Sequence, residues 1–241
     1  MLSEEEARDS VIVALDCDRQ EALRLARALE GKARWVKVGM TLFYAEGPSV
    51  VREMRERGLK VFLDLKLHDI PFQVAGAAHS ASLSGADILS VHALGSARMV
   101  SQAREGVERA AEERGGERTR LVAISVLTSM DAEALRSVGI DRELSDEVAR
   151  LASLAVGAGS DGIVCSPQEA ASMRELLGSE ALIVTPGVRP AGAALGDQRR
   201  VATPSAAIAA GASKLVVGRP VTQAGDPLAA FESIVAELCV G

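Results

Sequence analysis

Residues 60–71 read Lys60-Val61-Phe62-Leu63-Asp64-Leu65-Lys66-Leu67-His68-Asp69-Ile70-Pro71, setting two carboxylates and an ammonium into a segment that otherwise looks like a buried β-strand. Side chains on a strand alternate between faces, so Phe62, Asp64 and Lys66 are expected on one face and Val61, Leu63 and Leu65 on the other. Asp69 comes three residues after Lys66, just past the strand, where Pro71 suits the first turn of a helix. Asp64-x-Lys66-x-x-Asp69 is therefore a charged cluster at the C-terminal end of a strand, where ionisable groups mark a candidate functional site. Taken alone, the same charges could form a structural ion pair or a solvated edge strand. The surrounding elements decide between these readings.

Those elements alternate in kind. Short β-branched runs at 11–16, 35–39, 60–66, 88–93, 121–127, 162–166, 182–186 and 214–218 are separated by amphipathic stretches, such as Arg19–Leu29 with Ala22, Leu23, Ala26 and Leu29 on one face. Near-continuous apolar strands alternating with helices predict a parallel sheet covered by helices. Eight such units in 241 residues predict an α/β fold, a TIM-type (β/α)8 barrel, with residues 1–241 as a single domain. No linker or low-complexity segment divides the chain. The soft stretches are 114–118 and 189–200, the second rich in Gly, Ala and Pro and placed after the seventh strand, where a long loop often serves an active site.

In a barrel of this kind chemistry gathers at the C-terminal ends of the strands. In chain order those ends carry Asp16, Lys37, the Asp64/Lys66/Asp69 cluster, His92, Thr128 with Ser129, Ser166, Pro186 through Arg189, and Gly218 with Arg219. Asp18 and Ser166 are expected to cap the helical turns that follow them. Alternating charges on three neighbouring strands, by contrast, are hard to explain as packing and mark a candidate site. The loops after strands seven and eight commonly bind phosphate through backbone N–H groups and a helix N-terminus. There Gly218 allows close backbone approach, Arg219 offers a forked guanidinium, and Pro220 can open a helix, with Arg189 and Gln198 in the preceding loop. A phosphorylated substrate is expected.

Composition narrows the class further. Hydrophobic residues at 48% and charged residues at 25% are ordinary for a globular protein. A net charge of −6 with scattered basic residues, and an aromatic content of 2%, argue against a nucleic-acid partner. Cys17, Cys165 and Cys239 are far apart, in no metal-binding spacing, and point to a reducing compartment. The first ten residues are acidic, and no apolar run reaches the roughly 18 residues of a membrane span. A cytoplasmic protein with no membrane partner is the expectation. Gly157-Ala158-Gly159-Ser160-Asp161-Gly162 spells G-x-G-x-x-G but follows a helix and precedes a strand, the reverse of a dinucleotide fingerprint, so a helix end and turn are expected. His68, His79 and His92 lack zinc-site spacing.

The ordered set Val13-Ala14-Leu15-Asp16, Lys37-Val38-Gly39, Asp64-Leu65-Lys66-Leu67-His68-Asp69-Ile70-Pro71, Val126-Leu127-Thr128-Ser129-Met130, Pro186-Gly187-Val188-Arg189, Asp197-Gln198 and Val217-Gly218-Arg219-Pro220 resembles the orotidine 5′-phosphate decarboxylase family. The likeness runs over nearly the whole chain, although Asp-x-Lys-x-x-Asp by itself is shared with related sugar-phosphate enzymes. It implies a cofactor-independent, metal-free decarboxylation of orotidine 5′-monophosphate to UMP on a TIM barrel, in the last step of UMP biosynthesis. It also implies a homodimer with active sites at the interface. By the resemblance, Lys66 protonates C6 of the pyrimidine, Asp64 and Asp69 flank it, and Asp69 reaches in from the partner subunit. Asp16 and Lys37 would bind ribose hydroxyls, Lys37 also joining the charged network. Thr128 and Ser129 would meet the base, and Arg189, Gln198, Gly218 and Arg219 the phosphate. Ile70 and Gln73 are counted with the substrate-binding residues. Here the chain departs from the family, which usually has asparagine and threonine after Ile70-Pro71 where this one has Phe72 and Gln73.

Two rivals follow from the same motif. Metal-dependent relatives, a hexulose phosphate synthase or a ketogulonate phosphate decarboxylase, carry an acidic metal ligand where this chain has Lys37. A non-catalytic phosphosugar-binding barrel would have no reason to keep Lys66 between two carboxylates.

Overall fold

Eight parallel strands close in sequence order into a barrel, each hydrogen-bonded to the next and the last to the first. The computed structural model describes residues 1–190 and 202–240. The strands are β1 (Val11–Leu15), β2 (Trp35–Gly39), β3 (Lys60–Leu67), β4 (Ile88–His92), β5 (Arg120–Ile124), β6 (Gly162–Val164), β7 (Leu182–Pro186) and β8 (Lys214–Val217). All eight expected strands are present, with ends that move by up to three residues.

Alternation of side chains sorts each strand between two cores. Ile12, Ala14, Trp35, Phe62, Ile88, Val122, Ile124, Val164, Leu182, Val184 and Val216 fill the barrel interior as one cluster. Their sequence neighbours Val11, Val13, Val36, Val61, Leu63, Leu89, Ile163 and Leu215 face outward into the larger cluster packed beneath the helices. Both faces are buried, which is why the strands read as continuous apolar runs. The inward parity that places Ile12 and Ala14 in the interior also aims Asp16 inward, just past β1. The same parity puts Lys37 above Trp35 and Asp64 above Phe62.

Local chemistry sets the helix starts. The Asp18 carboxylate accepts from the backbone N–H of Glu21 at 2.9 Å and caps the helix Arg19–Leu29. Pro71 opens the helix Pro71–Leu83 at its first turn, and Pro220 lies in the first turn of Arg219–Thr222. The G-x-G-x-x-G segment ends the helix Leu144–Gly157 and enters β6. Gly159 adopts φ +101°, and a Cβ on Gly162 would stand 2.0 Å from the Leu182 carbonyl oxygen. Those glycines serve a turn and a strand contact.

Candidate active site

Four charged side chains form an alternating chain across the C-terminal ends of β1, β2 and β3. Asp16 Oδ1 accepts from Lys37 Nζ at 2.7 Å, Lys37 Nζ stands 3.5 Å from Asp64 Oδ2, and Asp64 Oδ2 accepts from Lys66 Nζ at 2.9 Å. Strand register makes this possible: Ala14 pairs with Lys37, and Gly39 with Asp64, so the side chains rise in steps around the barrel mouth. Gly39 leaves the room. A Cβ there would lie 2.7 Å from Asp16 Oδ1 and 3.1 Å from Lys37 Nζ. Lys37 and Asp64 are both buried. Burial works to raise the Asp64 carboxyl, yet the charges of Lys37 and Lys66 and the hydrogen bonds from Lys66 and Ser90 outweigh it and hold the group below the usual carboxylate range.

The strand that carries the pair is not regular. Leu63 pairs with Leu89 and Leu67 with Val91, so residues 64–66 of β3 stand opposite Ser90 alone. Lys66 takes φ +52°, a left-handed conformation rare outside glycine. Strict alternation foresees Asp64 and Lys66 on one face, and they do meet, but across this bulge and not along a regular pleat. Ser90, fully buried, accepts from the Lys66 backbone N–H at 2.8 Å and donates to Asp64 Oδ1 at 2.8 Å. Beside it the His68 and His92 rings stack with centroids 5.2 Å apart. Burial, then His68 and Lys66, push the His92 imidazole down to about 4.

These groups open into a cavity of about 430 Å³. Of the expected residues, Asp16, Lys37, Asp64, Lys66, Thr128, Arg189, Gly218 and Arg219 line it. The charged chain comes from the ends of β1, β2 and β3, and the two arginines follow β7 and β8. Such a lining suits a molecule with an anionic group for the arginines and a reacting centre within reach of Lys66. Four expected residues stand outside the cavity of the single chain. Ser129 is exposed at the rim, Ile70 and Gln73 are exposed at the start of their helix, and Asp69 is exposed with its carboxylate accepting from the Ile70 N–H at 2.6 Å. Gln198 lies outside the described residues. Thr222 and Gln223 line the cavity beyond Arg219 and were not foreseen, because the sequence signal stops at the helix start. Ser90 was missed too, although a lone serine at an inward position between Ile88 and His92 is a readable signal.

Other chemistry is less well served. A second cavity, of about 740 Å³, opens among the N-terminal ends of the strands, where two of its acids are engaged in ion pairs, Asp9 with Lys214 and Asp87 with Arg55. Among the described residues no three His, Cys, Asp or Glu side chains converge as metal ligands. Burial and neighbouring carboxylates push the Cys17 thiol up to about 11, which removes it as a nucleophile.

The chain is similar to known proteins over nearly its whole length. Residues 9–234 match the family model described as "Orotidine 5'-phosphate decarboxylase / HUMPS family". An orotidine 5′-phosphate decarboxylase of Moorella thermoacetica is 50% identical over 96% of this chain and 93% of its own length. One from Anaeromyxobacter sp. strain K is 54% identical over 88% of this chain and 90% of its own. Among solved structures, the orotidine 5′-phosphate decarboxylase of Lactobacillus acidophilus superposes with a TM-score of 0.85 at 38% identity, covering 95% of this chain and 99% of that one.

Proposed function

The chain belongs to the orotidine 5′-phosphate decarboxylase / HUMPS family, and from that premise we infer that it converts orotidine 5′-monophosphate to UMP and carbon dioxide, a step of pyrimidine biosynthesis. The observation that carries this reading is the Lys66 ammonium, 2.9 Å from a buried Asp64 carboxylate, in a cavity that Arg189 and Arg219 also line.

The chemistry needs a proton and compensating charge. The bond from C6 of the pyrimidine to the carboxylate breaks, carbon dioxide leaves, and the electron pair stays on C6 in an orbital that the ring cannot delocalise. Lys66 Nζ stabilises that pair and transfers a proton to it, and solvent restores the ammonium after product leaves. Asp64 holds Lys66 in place. Lys37 and Asp16 take the ribose hydroxyls, Thr128 the base, and Gly218, Arg219 and Arg189 the phosphate, whose binding energy positions the ring. Ser129, Ile70 and Gln73 are proposed to meet substrate when the rim closes over it. No cofactor has a task in this scheme.

We place the working enzyme in a homodimer, in the cytoplasm. What supports the dimer is an apolar rim beside the cavity, with Tyr44 72%, Ile70 62% and Phe72 80% exposed, and an Asp69 carboxylate that makes no ion pair with Lys66 of its own chain. A second copy seated on that rim would cover it and bring its Asp69 to the neighbouring Lys66. What supports the compartment is that Cys17, Cys165 and Cys239 form no disulfide.

The test is a spectrophotometric assay with orotidine 5′-monophosphate, with and without chelator. Turnover undiminished by chelator is expected, since cations Lys37 and Lys66 stand where a metal would need carboxylates. No turnover, or a strict requirement for magnesium, would overturn the reading.

A further inference from the structure

We propose that Ser90 is a positioning residue that sets the lysine proton donor against its carboxylate. The inference rests on the decarboxylase reading and adds to it a residue with no contact to substrate.

Three residues of β3, 64–66, face one residue of β4, and Lys66 sits at φ +52°. A bulge re-aims a side chain at the expense of ladder hydrogen bonds, and a left-handed lysine persists only where its surroundings over-determine it. Ser90 supplies that determination. Its hydroxyl replaces the missing ladder partner by accepting the Lys66 N–H at 2.8 Å.

The same oxygen carries one proton, which it donates to Asp64 Oδ1 at 2.8 Å. Asp64 turns its other oxygen, Oδ2, to Lys66 Nζ at 2.9 Å. A closed circuit results: backbone of Lys66, Ser90 hydroxyl, Asp64 carboxylate, ammonium of Lys66. Ser90 is fully buried, so water does not compete for either bond. Removing the hydroxyl strands a backbone N–H and frees one carboxylate oxygen together. Lys66 then relaxes toward extended backbone, and Nζ moves away from the point where the electron pair forms.

A residue acting in this way affects the chemical step and leaves the ribose and phosphate contacts alone. Ser90→Ala is expected to lower kcat by about 10²-fold, the scale of a misplacement of about 1 Å, while UMP affinity stays within about threefold. Ser90→Thr keeps the hydroxyl and is expected to recover at least about tenfold of that loss. Amide hydrogen exchange of the unaltered protein gives a readout free of folding effects: the Lys66 amide should be protected like its neighbours in β3. The inference is overturned if Ser90→Ala keeps wild-type kcat, if UMP affinity falls in proportion to kcat, or if the Lys66 amide exchanges as fast as an exposed loop. Failure of the unaltered protein to turn over orotidine 5′-monophosphate would instead sink the decarboxylase reading, with Lys66 protection unaffected.

Discussion

Single residues divide the site into a reacting end and a holding end, and each can be probed alone. Lys66 and Asp64 stand on β3, Arg189 and Arg219 follow β7 and β8, and all four line one cavity. A guanidinium fork contributes in full only when a phosphate dianion is there to receive it. Arg219→Ala should therefore lower kcat/KM for orotidine 5′-monophosphate by about 10²–10³-fold, roughly 3–4 kcal/mol, and change turnover of orotidine lacking the phosphate by less than about threefold. Steady-state kinetics on both substrates checks this. Equal losses would show that Arg219 supports the fold of the eighth loop instead. Gly39 belongs to this scale as well, because its lack of a Cβ gives the Asp16–Lys37 bond its space. From sequence Gly39 stood out only as part of the family motif.

At the scale of elements, the sequence showed alternation but not its interruptions. The eight strands were readable because each is buried on both faces, and the helix starts at Arg19 and Pro71 because capping and proline geometry are local. The bulge at residues 64–66 was not readable: it arises from pairing with β4, a long-range register that no local pattern encodes. The same contact between strand ends makes a pH dependence. His92, ending β4, accepts from the Leu94 N–H through Nδ1 at 3.3 Å and stacks on His68 beyond β3. Its folded value of about 4 lies below an unfolded value of roughly 6.5. Between these the unfolded chain binds the proton first, so the contribution is complete above about 6.5 and is lost as pH falls toward 4. Asp64, held low by Lys37 and Lys66, acts in a separate window beneath the usual carboxylate range. Denaturant midpoints should therefore drop from pH 7 to pH 5 in the unaltered protein and drop less in His92→Gln. An identical pH dependence in both would place the titration elsewhere.

The whole molecule presents its charged chain at one end of a closed barrel, and that end also carries the exposed Tyr44, Ile70 and Phe72. Both facts bear on Asp69. Its spacing from Lys66 was plain in the sequence, yet in the single chain its carboxylate turns to the Ile70 N–H and, among the described residues, pairs with no cation. If a second copy docks on the rim formed by Tyr44, Ile70 and Phe72, each working site takes Asp64 and Lys66 from one chain and Asp69 from the other. Homodimers of Lys66→Ala and of Asp69→Ala should then both be nearly inactive, the first lacking its proton donor and the second leaving the ammonium with one carboxylate instead of two. Mixing the two under conditions of subunit exchange produces heterodimers in which one site combines both mutated groups and the other has Lys66 and Asp69 intact. Activity per heterodimer should rise toward half that of the unaltered dimer. Mass analysis of differently tagged chains establishes whether exchange has occurred. Exchange without recovery would mean that Asp69 works within its own chain, swinging onto Lys66 when substrate closes the rim.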